Sequence, residues 1–460
     1  MRYKAEVFDQ VQRLFDVNGF NDHQLHCVLR FEAEAAPDAD VLREAVLASI
    51  EAYPILGVRY VDAARPYWES LDRADLARAF IVARTQAQFD AVLLARANEE
   101  CGPQVRVCLL TANPAAVAVT LNHMICDGAA FKTYVYHLCD IYSKLTVDPG
   151  YRPPRVAGSR SLREVLSHFP LSAKLKSLFS QSGDNNRAGD HRFRMNEGAG
   201  DAPFIATRRL SGERTAAAKA QARARGATLN DFALTALYRS LFRTPGDQLT
   251  IPLMVDMSRY LGERDAYPPL TNLSSMVASH LDYRPNETFD GALGRVKAVM
   301  DGKKELNLGL NAFAKLDFLF RIFGDRSAHG VLRKQMRQPL ICMTNIGVLD
   351  EARLSLADLQ PSDGFMCGSI KYKPYFQLAM STYRGELTLS SNPRERLPRR
   401  GRDATFDRRK VRRAGWTTAT NVLGPKAFIA LAGRACLQMS PVKARSPLDE
   451  ASIKPRFGRR

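Results

Sequence analysis

At 460 residues, 45% of them hydrophobic and 25% charged, the chain can bury a sizeable core and divide into two units. No apolar run is long enough to span a bilayer, and the stretch from Met1 to Asp9 lacks the apolar centre of a signal peptide, so a cytoplasmic protein is expected. The net charge of +18 is unevenly spread: residues 393–460 carry 18 Lys or Arg against 5 Asp or Glu, so the body is only mildly basic and makes no strong case for nucleic acid.

In chain order, Leu25, Cys27, Leu29 and Phe31 alternate as a strand, and a helix is predicted over 40–53 before the turn Pro54-Ile55-Leu56-Gly57. Val105, Val107 and Leu109 alternate as a further strand. Residues 115–123 read as a buried strand. After it, Phe131, Tyr134, Val135, Leu138, Ile141, Tyr142 and Leu145 recur at helical spacing over 129–145. Pro149, Pro153, Pro154 and Gly158 mark 146–160 as a linker, and 161–179 holds one or two short helices. The polar, Gly-rich stretch 181–201 reads as a mobile loop or crossing segment.

The second half opens with a strand near 204–210. Ser211 is an N-cap for a helix that ends at Gly226, and a helix follows over 230–242. Strands are expected at 249–256, 276–283 and 340–344, and helices at 289–302 and 312–324. A hairpin pairs 376–380 with 387–389 across Arg384-Gly385-Glu386. Strands and helices interleave without a strict βαβ period, which points to an α+β sandwich in two halves. The expected division is 1–150, a linker and loop over 151–201, 202–392, and a basic tail over 393–460. That tail shows no amphipathic period and reads as disordered, or as translation out of frame. A basic arm for nucleic acid or anionic membrane is its functional alternative, and Ala427 to Met439 is its one apolar stretch.

The chemistry concentrates at Leu121-Asn122-His123-Met124-Ile125-Cys126-Asp127-Gly128. A strand-loop-helix junction can present a side chain to a cavity while gripping it from both sides. Histidine there can take and return a proton near neutral pH. Asp127 can accept backbone N–H bonds at the helix start, or hold the loop through an arginine elsewhere. Gly128 fits a close backbone approach or a positive φ. The plainer alternative is a satisfied core histidine beside an ordinary Asp N-cap. The eight cysteines form no C-x-x-C pair and no ligand-like cluster with His, so no metal is expected and buried free thiols are the reading; Cys126 lacks an evident base and is not read as a nucleophile.

The chain resembles the condensation-domain and chloramphenicol acetyltransferase-like superfamily of acyltransferases, which also includes alcohol acetyltransferases and wax ester synthases. The resemblance rests on H-x-x-x-D-G at His123, Asp127 and Gly128, on Pro54-Ile55-Leu56-Gly57, and on Gly226-Ala227-Thr228-Leu229-Asn230-Asp231. Ile251 to Asp256, Thr271-Asn272-Leu273-Ser274-Ser275 and Thr344-Asn345-Ile346-Gly347 follow in the family's order. It implies two chloramphenicol acetyltransferase-like α/β sandwich subdomains with a channel between them and His123 near its centre. It implies His123 as general base in acyl transfer from an acyl-CoA, or from an acylated acyl or peptidyl carrier protein, to an alcohol or amine acceptor, with no metal or further cofactor.

Two departures stand out. Asn122 occupies the position where many members carry a second histidine. The family's arginine partner for the motif aspartate falls out of register, so either Arg259 supplies it from Asp256-Met257-Ser258-Arg259 or Asp127 is held otherwise. Asn272, Ser274 and Ser381 are candidate oxyanion or substrate contacts. A non-catalytic binding protein of the same architecture, and nucleic-acid binding through the tail, are the competing readings.

Overall fold

Alternation decides the first sheet. In the strand Ala116–Asn122, Val117, Val119 and Leu121 face one side, where they pack with the helices Ala39–Ala52 and Gly128–Val147. Ala116 and Ala118 face the other side, against Phe89 and Leu93 of the helix Gln86–Leu94. The five-stranded sheet runs Asp363–Cys367, Gln24–Arg30, Ala116–Asn122, Val105–Leu110, Phe80–Ala83, and only its last pair is parallel. The computed structural model describes residues 1–179, 203–242, 248–262, 265–304, 309–336, 340–372 and 375–394. The loop expected at 181–201 and all but the first two residues of the expected tail lie outside these.

The second sheet has six strands in the order Ser274–Asp282, Gln248–Asp256, Ile341–Val348, Phe376–Tyr383, Glu386–Ser391, Ala206–Leu210. Ile341–Val348 runs parallel to both neighbours and bulges between Asn345 and Gly347. Leu249, Ile251, Leu253 and Val255 share one face of their strand and pack with Leu234, Leu237 and Tyr238 of the helix Leu229–Leu241. The start of that helix is a capping box: Thr228 accepts from the Asp231 N–H at 3.1 Å, and Asp231 accepts from the Thr228 N–H at 2.9 Å. Gly226, at φ 61°, closes the helix Gly212–Ala224 just before it.

Two expectations shift. The division near residue 150 does not divide the sheets, because Asp363–Cys367 crosses back and pairs antiparallel with Gln24–Arg30 in the first. Periodicity identifies a strand but not its partner, and an open edge beside a buried strand recruits whichever segment can reach it. The helix expected over 312–324 does end there: Gly324 (φ 68°, ψ 170°) breaks Leu310–Gln335 into two helical stretches, the second of which was not expected. Pro393–Arg394, the first residues of the expected tail, pair in parallel with Lys371–Tyr372.

Candidate active site

His123 follows the last residue of the strand Ala116–Asn122, where the two halves of the chain meet. Asn122 shapes the turn beneath it: its Nδ2 donates to Gln104 Oε1 at 2.6 Å and its Oδ1 accepts the Met124 N–H at 2.9 Å. Asn122 is therefore a structural residue of the turn. The His123 N–H donates to the His23 carbonyl, and Asn272 Nδ2 donates to the His123 carbonyl at 3.0 Å.

The imidazole has one tautomer that fits these partners. Nδ1 lies 2.7 Å from the Cys126 carbonyl, which can only accept, so Nδ1 carries the proton and Nε2 the lone pair. Asn272 Nδ2, 3.3 Å from Nδ1, then has its productive bond to the His123 carbonyl instead. Nε2 bonds to no described residue, and the side chain is half-buried. Burial lowers the ring's pKa to about 4, helped by the Lys371 ammonium and His23 and opposed by the Cys126 carbonyl. At neutral pH the ring is a neutral base.

Asp127 does not touch that ring. It caps the helix Gly128–Val147 by accepting the Ala130 N–H through Oδ1 at 2.9 Å, and its Oδ2 accepts the Leu273 N–H at 2.8 Å. One carboxylate thus joins the motif helix to the second sheet. Burial raises its pKa to about 6, with Asp256 adding to the shift and the backbone donors opposing it.

The Arg259–Asp127 pair is not formed. Asp256 starts a 3-10 turn, Met257–Tyr260, in which Met257 turns inward; Arg259 is exposed and donates through Nε to the Asp256 carbonyl at 3.0 Å. Arg160 braces the motif loop instead. It meets Asp9 through two bonds of 2.8 and 3.2 Å, donates to the Leu270 carbonyl at 2.7 Å and reaches the Ile125 carbonyl at 3.4 Å. Nothing near Arg160 in sequence marked it, since its partners come from three distant segments. On the far side, Lys132 Nζ donates to the Ile346 carbonyl at 3.0 Å, fastening the motif helix to the bulged strand.

Gly128 needs neither a close approach nor a positive φ. A Cβ placed there meets only Ile346 Cγ1, at 4.0 Å. Gly128→Ala is therefore expected to melt at or above the parent temperature, since alanine favours helix by up to about 1 kcal/mol over glycine. A loss of more than about 1 kcal/mol in chemical denaturation would show crowding that this geometry lacks.

Of the candidate oxyanion or substrate contacts, only Asn272 touches His123. Its Oδ1 accepts the Ser274 N–H at 3.2 Å, so Asn272 ties the strand Ser274–Asp282 to the histidine. Ser274 is half-buried. Ser381 is sealed within its sheet, where its Oγ accepts the Met366 N–H at 3.2 Å and joins the crossing strand to the second sheet. Cys126 is buried and its thiol pKa is pushed far up, which removes it as a thiolate nucleophile.

The chain also assembles a side-chain cluster that its spacing concealed. Ligand atoms of Asp16, His23 and Glu99 lie within 4.8 Å of one another, all buried. Arg96 pairs with Asp16, Arg13 Nε lies 3.5 Å from Glu99, and Tyr372 donates to Asp16 at 2.7 Å. Arg13 also reaches Asp62 at 2.9 Å and Glu100 at 3.0 Å, so the two arginines serve four carboxylates in an ion-pair network that fastens the helix Val7–Val17.

No protein-family model matches this sequence, and no curated protein sequence is significantly similar to it. Solved structures are similar in fold. Polyketide synthase associated protein 5 from Mycobacterium tuberculosis superposes with a TM-score of 0.60 at 17% identity, over 87% of this chain and 94% of that one. Trichothecene 15-O-acetyltransferase from Fusarium sporotrichioides gives 0.61 at 12% identity, over 95% of each chain. A variant of the starter condensation domain of rhizomide synthetase, in complex with C8-CoA, gives 0.58 at 13% identity, over 85% of this chain and 88% of that one. The chain has the two-subdomain fold of condensation domains and chloramphenicol acetyltransferase-like enzymes. Among the described residues, no helix is long and apolar enough to cross a membrane.

Proposed function

We propose that the protein is an acyltransferase that moves an acyl group from a thioester to a hydroxyl or amine acceptor. The observation that carries this reading is the His123 tautomer: Nδ1–H is held by the Cys126 carbonyl, which leaves the Nε2 lone pair as the base. Nε2 takes the proton from the acceptor as its oxygen or nitrogen attacks the thioester carbonyl. The C–S bond then breaks, and the same proton passes to the leaving thiolate. Because the acceptor attacks directly, no covalent enzyme intermediate forms. Asp127 acts on the loop's shape, through Ala130 and Leu273, and takes no part in the proton transfer. The donor is an acyl-CoA or an acylated carrier protein; the C8-CoA complex of a protein of the same fold supports the CoA form. Release of free thiol over a panel of acyl-CoAs and alcohol or amine acceptors tests the reading. Absence of thiol release from every pair, with carrier-bound donors included, would sink it.

The pH profile gives a sharper check. A base works only when unprotonated, so activity falls as pH drops through its folded-state pKa. With His123 pushed down to about 4, the acid limb of kcat/KM is expected well below the ordinary histidine value of 6.5. A limb centred at 6.5 or higher would contradict the desolvated ring.

A further inference from the structure

The helix Leu171–Phe179 is inside out. Its small residues, Ala173 and Ser177, face the protein, while Leu171, Leu175 and Phe179 recur every fourth position on the opposite side. Leu171 is 68% exposed, Leu175 46% and Phe179 80%. The neighbouring helix Leu310–Gln335 packs beside it and repeats the pattern. Phe313 and Phe320 face inward, whereas Phe318, Ile322 and Phe323 are exposed. Exposed apolar residues scattered singly need no explanation, but two adjacent stripes pointing outward make a surface built to be covered.

Charge selects what covers it. The helix Leu171–Phe179 and the two stretches of Leu310–Gln335 together carry seven Lys or Arg and two Asp. Of those two, Asp317 is already paired with Arg163 and Arg321, and Asp325 accepts from Gln10. A second copy seated about a two-fold axis would place this basic patch against itself. The chain's own residues 393–460 are more basic still. A surface with both an apolar layer and negative charge answers both features.

We propose that these two helices dock the protein on an anionic phospholipid surface, with the apolar stripes entering the acyl-chain boundary and Lys174, Lys176 and Arg326 lying among the phosphates. The docking is peripheral: the stripes enter the interface and nothing spans it.

Sedimentation of the full-length protein with vesicles tests this. The parent is expected to bind phosphatidylcholine vesicles that contain phosphatidylglycerol, and to bind pure phosphatidylcholine vesicles more weakly. The double variant L175S/I322S keeps every charge and is expected to bind the anionic vesicles at least about tenfold more weakly, from the lost apolar insertion. Its melting temperature should match the parent's, because both side chains point outward. Residues 393–460 are identical in the two proteins, so the difference reads the patch alone. As a second readout, Phe179→Trp should add an emission component that shifts to the blue on anionic vesicles. Equal binding by parent and double variant, or bound protein without that shift, would overturn the proposal. So would a parent dimer that the double variant converts to monomer, since that outcome assigns the patch to a second copy.

Discussion

His123→Ala is expected to lower acyl transfer by at least about 10²-fold, mainly in kcat, because a positioned general base contributes roughly that much or more. The substitution also strands the Cys126 carbonyl that Nδ1–H now satisfies, which costs about 1–3 kcal/mol for a buried acceptor. A drop in activity alone would therefore confuse chemistry with shape. His123→Asn separates them, since its amide can place a donor near the Nδ1 position while offering no base. The two variants should be equally inactive, with the asparagine variant melting closer to the parent. Wild-type turnover in either one would remove His123 from the mechanism.

Arg160→Ala is expected to destabilise the protein by about 3–5 kcal/mol, the scale for breaking a buried ion pair by removing one partner. Asp9, which it abandons, is 1% exposed. Trp68 Nε1, at 2.7 Å, and the Glu6 N–H, at 2.9 Å, still donate to Asp9, but neither brings a charge. The Leu270 carbonyl loses its donor as well, so the loop carrying Asn272 loosens and activity falls with stability. Arg259→Ala, by contrast, removes an exposed side chain whose contact is its own turn, and should change stability by no more than about 0.5 kcal/mol. Denaturant melts of the pair decide which arginine braces the motif. If the two variants were equally stable, Arg160 would lose that role.

What could be read from the sequence was local. The motif helix announced itself through apolar residues every third or fourth position, and Thr228 with Asp231 spelled a capping box three residues apart. Ser211 likewise caps its helix as its type suggests. What could not be read joins distant segments. Arg160 binds Asp9, Ile125 and Leu270, and no spacing rule links those positions. The misplaced Arg259 had a local cause. The strand stops at Asp256, and the 3-10 turn at Met257–Tyr260 leaves Arg259 in solvent while burying Met257. His123 was found by type and position, yet its tautomer came only from the Cys126 carbonyl, a backbone group that side-chain patterns leave out.

The strand Asp363–Cys367 sets a timetable. Ser362, at its threshold, donates to the carbonyl of Arg30, which lies 332 positions earlier in the chain. A ribosome adding about 5–20 residues per second needs on the order of tens of seconds to cover that distance. Throughout that interval the Gln24–Arg30 edge has emerged but its partner has not been made. The same unpaired edge would be shown by any truncated product that stops before residue 363. Newborn copies on one message therefore present matching open edges to one another, which makes translation itself the stage at which this protein is most prone to aggregate.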